Sequence, residues 1–400
     1  MTHKISAVTV RTILNSQGGR SLEAVLSLED GSIGMGSTPR AIVPGRRERG
    51  LSKSERLGTV KDDPKVVELR AFLQGRGFED QRQFDSLFAK DGQFVDIGAD
   101  MALALSLAFC RAQAIANRVS LKDQIVQLSD LEPGMPHPIV NIFSGGVHGG
   151  HIPYQQLMII PRHGRLQDDL ETALVVYGEL EETILSKGYL EGYSASSGML
   201  TTLSDLRQLF DMIASAIDRL GVADHVALGT DVAAEHLESG DGRYRMGNET
   251  LSAEDFEKFH REMLSDYNFC FYEDPFGPDD GPQWRALTEF ATEKTMVVGD
   301  DLFATNADNI DPGLASGILL KMNQVGTISG TLDAAIAAKE AGMRLCVSHR
   351  SKETEDTAMC DLAVAVGAEL IKIGGPRRGD RIAKYNRLLR LAEESESLPI

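Results

Sequence analysis

Six short apolar runs, each closing on an ionisable residue, constrain this chain more than any other feature. Val226–Asp231, Phe269–Glu273, Met296–Asp300, Gly317–Lys321, Leu345–His349 and Glu369–Lys372 alternate with amphipathic stretches, a pattern that predicts strand–helix units around a parallel sheet. One helix is legible by itself: Leu166, Leu170, Leu174, Tyr177, Leu180 and Ile184 recur at three- and four-residue steps, and Lys187-Gly188 ends the run. In a (β/α)8 barrel the C-terminal ends of the strands meet at one mouth, where the loops build the site. Asp231, Glu273, Asp300, Lys321, His349 and Lys372 are therefore expected around one cavity. Solvated strand ends are the bland alternative, and six out of six is more than they explain.

Upstream the pattern differs. Ile5–Val10 and Leu22–Leu28 read as strands, and Asp30-Gly31 is a hairpin turn signal. An Arg-, Gly- and Pro-rich loop over 39–50 gives way to helical periodicity through Ala116. The expected architecture is α/β: an N-terminal α+β capping domain over residues 1–130, then a barrel over 136–400. A formal net charge of −18 disfavours nucleic acid and anionic membrane partners, which need a basic face. The apolar run Met101–Cys110 is about half of what a bilayer span requires. Cys110, Cys270, Cys346 and Cys360 have neither disulfide-framework nor zinc spacing. A soluble, cytoplasmic protein with reduced thiols is expected.

The strand ends also set the chemistry. Asp231, Glu273 and Asp300 offer hard oxygen donors that suit Mg²⁺, and three carboxylates at one mouth repel one another unless a cation joins them. Lysines crowded by Mg²⁺ and by each other lose their preference for the charged form, so Lys321 and Lys372 suit abstraction of a proton next to a carboxylate. Arg350-Ser351 adds a forked cation and a hydroxyl fit for a phosphate or phosphonate. The Gly145–Gly150 stretch carrying His148 follows the apolar run Ile139–Phe143 and either lines the site or forms a plain tight loop.

Several longer motifs resemble enolase, the Mg²⁺-dependent enzyme that dehydrates 2-phosphoglycerate to phosphoenolpyruvate. They are Leu14-Asn15-Ser16-Gln17-Gly18, Asn141-Ile142-Phe143-Ser144-Gly145-Gly146-Val147-His148, Glu273-Asp274-Pro275-Phe276, Val298-Gly299-Asp300-Asp301-Leu302, Leu320-Lys321-Met322-Asn323-Gln324, Ser348 to Asp356, and Asp380 to Asn386. The resemblance implies an enolase-type TIM-like barrel, a carbon–oxygen lyase of the hydro-lyase type, and a homodimer. Position by position it implies Mg²⁺ on Asp231, Glu273 and Asp300, Lys321 as the base at C2 and Lys372 on the substrate carboxylate. It further implies phosphate contact for Arg350 and Ser351, and substrate contact for His148, Gln155 and His349.

Three departures qualify it. Gln155-Gln156 stands where the family has Gln-Glu, so an amide replaces a proton-transferring carboxylate at Gln156. The family's Gly-Asp-Glu-Gly-Gly, which supplies the general acid, corresponds to a region reading Gly188 to Gly198. Glu191 is its remnant if a gap is allowed; otherwise small polar residues fall there. The serine lid loop becomes Arg40-Ala41-Ile42-Val43-Pro44-Gly45, in which Arg40, with Arg46 and Arg47, either binds an additional anion or is a solvated basic loop. The leading expectation is a diverged lyase that abstracts an α-proton from a 2-phosphoglycerate-like acid, with an altered substrate or leaving group. Enolpyruvyl or glycerate transfer to a phosphonate is the second reading, and a noncatalytic binding protein the third. The substrate that the resemblance implies is an anion, so Lys321, Lys372, Arg350, Arg40 and Mg²⁺ are expected to form a cationic pocket inside an acidic shell.

Overall fold

Alternation along Arg20–Leu28 puts Leu22, Ala24, Leu26 and Leu28 on one buried face. In the computed structural model, which describes residues 2–52, 57–60 and 62–396, β1 (His3–Leu14), β2 (Arg20–Leu28) and β3 (Ile33–Ser37) form an antiparallel sheet. Asp30-Gly31 makes the turn between β2 and β3, with Gly31 at φ 90°. The buried face receives α1 (Ala99–Asn117). A Cβ on Gly34 would lie 1.9 Å from the Ala108 carbonyl oxygen, and one on Gly36 2.5 Å from that of Ala104, so the bare backbone of β3 is what admits the helix. With its flanking residues the Met101–Cys110 run forms a helix long and apolar enough to cross a membrane, but 83% of that window is buried inside the protein, as a core helix is.

Eight strands close the barrel: β4 (His137–Ser144), β5 (Gln156–Pro161), β6 (Val226–Asp231), β7 (Phe269–Glu273), β8 (Met296–Gly299), β9 (Gly317–Leu320), β10 (Arg344–Ser348) and β11 (Leu370–Lys372). Neighbours pair in chain order, and β11 pairs with β4 to complete the circle. Inward side chains, among them Ile139, Met158, Phe271, Val298, Leu319 and Leu370, fill the interior. The helix read from Leu166 onward is α2 (Leu166–Ser186). All four cysteines are free and buried.

One strand corrects the reading of a parallel sheet. β5 runs antiparallel to both β4 and β6. A parallel return needs a crossover, usually helical, of a dozen or more residues, and the loop of residues 145–155 is too short for one. The reversal sets Gln156, the first residue of β5, opposite Ser144 and Asp231. An antiparallel strand thus begins at the mouth where its neighbours end.

The two units are fastened at the N-terminus of α3 (Ile328–Glu340). Its orphan N–H groups are taken by the capping unit: Ile328 N donates to Ser106 Oγ at 2.9 Å and Ser329 N to Asp85 Oδ2 at 2.9 Å. Burial lifts the Asp85 carboxyl from 3.8 to about 6. The folded chain then holds this proton more tightly than the unfolded chain, so stability is lost as pH rises from 3.8 towards 6, by roughly 3 kcal/mol for two pKa units. Asp85→Asn is expected to remove that slope, leaving the variant more stable than the parent at pH 7 and no more stable at pH 3.5. Urea unfolding at both pH values measures the difference, and an advantage that shrinks with rising pH would contradict the assignment.

Candidate active site

Strand geometry delivers the first charged cluster. Register pairs Asp231 of β6 directly with Glu273 of β7, and Lys372 at the end of β11 reaches across to both. Its Nζ lies 2.8 Å from Asp231 Oδ2 and 2.5 Å from Glu273 Oε2. Gln155 Nε2 donates to the same Asp231 oxygen at 2.8 Å. On the other side, Lys321, one residue past β9, pairs with Asp300, one residue past β8. Gln324 Nε2 donates to the free Asp300 oxygen at 3.0 Å. Burial, together with the neighbouring Asp231, raises the Glu273 carboxyl far above its ordinary range.

These contacts revise two expectations. The lysines were expected to lose affinity for their protons; here burial lowers it, but the Coulombic pull of Asp300 on Lys321 and of Asp231 and Glu273 on Lys372 outweighs burial, and both are raised. The metal set also differs in emphasis. The tightest acidic group among the described residues is Asp274, Asp300 and Asp301, with ligand oxygens within 4.8 Å of one another, whereas Asp231 and Glu273 are engaged by Lys372. Asp274 was not expected. It accepts from the backbone N–H of Asp300 at 2.9 Å and of Asp301 at 3.0 Å, which fixes how Asp300 is presented.

The histidines and Arg350 come next. His148 sits in the glycine loop after β4, with Nδ1 2.8 Å from Ser196 Oγ and Nε2 3.3 Å from Ser351 Oγ. Burial depresses it to about 4; Lys372, Arg381 and Lys321 add to that and Asp231 opposes it, so the imidazole is neutral. His349 is driven well below its ordinary value by burial and then by Arg381, which donates to its Nδ1. Arg350 clamps Glu48 through NH2, at 2.8 and 3.0 Å from the two carboxylate oxygens. Its NH1 is buried and has no hydrogen-bond partner among the described residues, a donor still in want of an acceptor.

The cavity these groups line has a volume of about 60 Å³, room for a few waters. Ala41, Ile42, Val43 and Glu48 roof it. The roof is held from outside: Arg46 pairs with Glu235 and Glu238, and Arg47 with Asp279 and the carbonyls of Leu302 and Pro278. Arg40 is not part of the cavity lining. It donates to Asp100 Oδ2 at 2.6 Å, a carboxylate buried at the start of α1 that also accepts from Ser52 N and Oγ.

Glu191 is likewise elsewhere. It lies exposed on a short strand, Leu190–Tyr193, beside His151 at 3.3 Å, since alternation on that strand turns its side chain outward. The mouth therefore gathers Asp231, Glu273, Asp300, Lys321, Lys372, His148, Gln155, Gln156, His349, Arg350 and Ser351, and leaves out Arg40 and Glu191. Sequence reasoning missed Glu48, Ser196, Gln324 and Arg381. Gln324 and Arg381 carried a signal as members of quoted motifs to which no role was given, as did Asp274, and Ser196 lay in the Gly188–Gly198 stretch that replaces the family's acid loop.

Comparison with known proteins agrees with this geometry. Residues 132–398 match the family model described as enolase, C-terminal TIM barrel domain. The enolase of Mycobacteroides abscessus is 34% identical over 407 aligned residues, covering 97% of this chain and 94% of the relative. A match that runs through both the capping sheet and the barrel, on top of charged strand ends meeting at one mouth, places the chain in the enolase family.

Proposed function

We propose that this protein is a Mg²⁺-dependent lyase of enolase type that removes the proton α to the carboxylate of a 2-phosphoglycerate-like acid, with an altered substrate or leaving group. The observation that carries the reading is the confinement of Lys321 and Lys372 with three carboxylates in one buried pocket, beside an Arg350 NH1 that has no acceptor among the described residues. Lys321 takes the proton, Lys372 faces the substrate carboxylate, and Arg350 and Ser351 receive the phosphoryl-like group.

The donor set fits the ion. Asp231, Glu273 and Asp300 are buried carboxylates; burial first and then repulsion from Asp231 and Asp300 raise Glu273, and all-oxygen sites suit Mg²⁺. When bound, the ion supplies positive charge against the substrate carboxylate and takes up the Asp300 charge that now keeps Lys321 protonated. Asp274 and Asp301 stand beside this set.

What distinguishes the protein from an efficient dehydratase is the proton donor. Glu191 is outside the cavity, Gln155 and Gln156 are amides, and Glu48 is clamped by Arg350. A positioned general acid contributes about 10²–10⁴ in rate. With 2-phosphoglycerate and Mg²⁺ in D₂O, C2-proton exchange is expected to outrun phosphoenolpyruvate formation by a factor of that order. NMR of the substrate measures both, and elimination as fast as exchange would refute the altered leaving-group step. Enolpyruvyl or glycerate transfer to a phosphonate stays the second reading; Arg40, Arg46 and Arg47, which it would use for the additional anion, each form an ion pair with a carboxylate.

A further inference from the structure

The region that aligns with the family's acid loop forms a tight turn, Ser194–Gly198, and nearly every polar group in it is spoken for. Ser194 N donates to Gly198 O at 2.8 Å, Ser197 N to Ser194 O at 3.0 Å, and Gly198 N to Ser194 Oγ at 3.2 Å. From outside, Gly375 N donates to Ser196 O at 2.8 Å, Tyr177 OH to Ser197 O at 3.0 Å, and Arg381 NH2 to Ala195 O at 3.2 Å. Ser197 adopts φ 63°, a left-handed conformation that a serine keeps only where surroundings enforce it. A Cβ on Gly374 would meet Ser196 O at 2.5 Å, so that neighbour has to be glycine for the turn to seat. The turn is thus a rigid mount, and what it mounts is the Ser196 hydroxyl.

Ser196 is fully buried. Among the described residues, the one partner of its Oγ is His148 Nδ1, at 2.8 Å. A hydroxyl proton taken out of water needs an acceptor. If Nδ1 carried a proton, Ser196 Oγ would accept it and its own proton would have no acceptor. The balanced arrangement is the reverse: Ser196 donates to a bare Nδ1, and the neutral ring carries its proton on Nε2, toward Ser351 and the cavity.

We propose that Ser196 is a positioning residue that fixes His148 as the Nε2–H tautomer, so that a neutral imidazole donates a hydrogen bond to an anionic oxygen of the substrate. An anionic oxygen only accepts, and the opposite tautomer would offer it a lone pair. The inference rests on the anionic-substrate reading above for what the donor is used for, but the tautomer itself does not depend on it.

The test uses the full ¹⁵N-labelled chain and the variants Ser196→Ala and Ser196→Thr. In the unliganded parent, long-range ¹H–¹⁵N spectra are expected to show His148 Nε2 protonated and Nδ1 bare. Ser196→Ala is expected to give mixed tautomers and to weaken binding of inorganic phosphate about 3- to 10-fold, as loss of one hydrogen bond does, while Ser196→Thr restores both. A protonated Nδ1 in the parent, or Ser196→Ala leaving tautomer and phosphate affinity unchanged, would overturn the assignment. The pattern expected in the parent, with no phosphate bound by any of the three proteins, would support the tautomer assignment and count instead against the phosphoryl-like substrate.

Discussion

Lys321→Ala is expected to abolish Mg²⁺-dependent exchange of the C2 proton of 2-phosphoglycerate, a loss of at least about 10³-fold for a base in direct contact with the reacting carbon. The difficulty with this variant is that it also strips Asp300 of its ion-pair partner, and breaking a buried pair costs about 3–5 kcal/mol. Other contacts remain to hold Asp300 in place: Gln324 Nε2 on its carboxylate, its own N–H on Asp274, and the N–H groups of Phe303 and Ala304 on its carbonyl. Lys321→Arg separates the effects. A guanidinium keeps a cation beside Asp300 but stays protonated throughout the accessible pH range, so stability is expected to persist and exchange to vanish. Urea denaturation alongside NMR-detected exchange gives both readouts. Exchange surviving in Lys321→Arg at the parent rate would remove Lys321 from the role of base.

That lysine was visible in the sequence for a reason that also defines what was not. A parallel barrel strand is buried on both faces, so it reads as an apolar run, and its last residue reaches the mouth whatever the rest of the chain does. Val226–Asp231 and Phe269–Glu273 are strands with those bounds; three of the other runs differ by a residue at one end, and Leu345–His349 is shifted by one residue at both. The direction of a strand is not in its apolar pattern, which is why Gln156–Pro161 was not seen to run backwards; the length of the connection before it decides that.

Partners far apart in the chain are harder still. Arg40 looks the same in sequence whether it meets a substrate or Asp100, and the choice is made by α1, which brings Asp100 under the loop. The serines of the Gly188–Gly198 stretch look alike in sequence, and Ser196 is singled out only when the fold sets it against His148. What is legible is the residue whose position follows from its own element. What is hidden is the residue whose meaning follows from another element's placement.

Arg381 is the clearest member of the second kind, and its replacement has the widest expected consequences. It lies on α4 (Gly379–Glu396) and is fully buried. It donates to the carbonyls of Arg350 and Ser351 at 3.0 Å each and of Ala195 at 3.2 Å, as well as to His349 Nδ1. A guanidinium has no acceptor, so its bond to Nδ1 leaves His349 with its proton on Nε2. One side chain therefore ties the Arg350-Ser351 segment to the turn that carries Ser196 and orients a second imidazole. Arg381→Met leaves three carbonyls and one ring nitrogen without donors in a buried setting, at about 1–3 kcal/mol for each group that finds no water. The expected result is a stability loss of about 3–5 kcal/mol, with C2-proton exchange falling at least tenfold at a temperature where the variant remains folded. Arg381→Lys keeps the charge but supplies a compact ammonium in place of a planar fork. It should recover part of the stability while His349 still samples both tautomers. A variant that keeps full stability and a single His349 tautomer after Arg381→Met would show that the mouth is organised by other contacts.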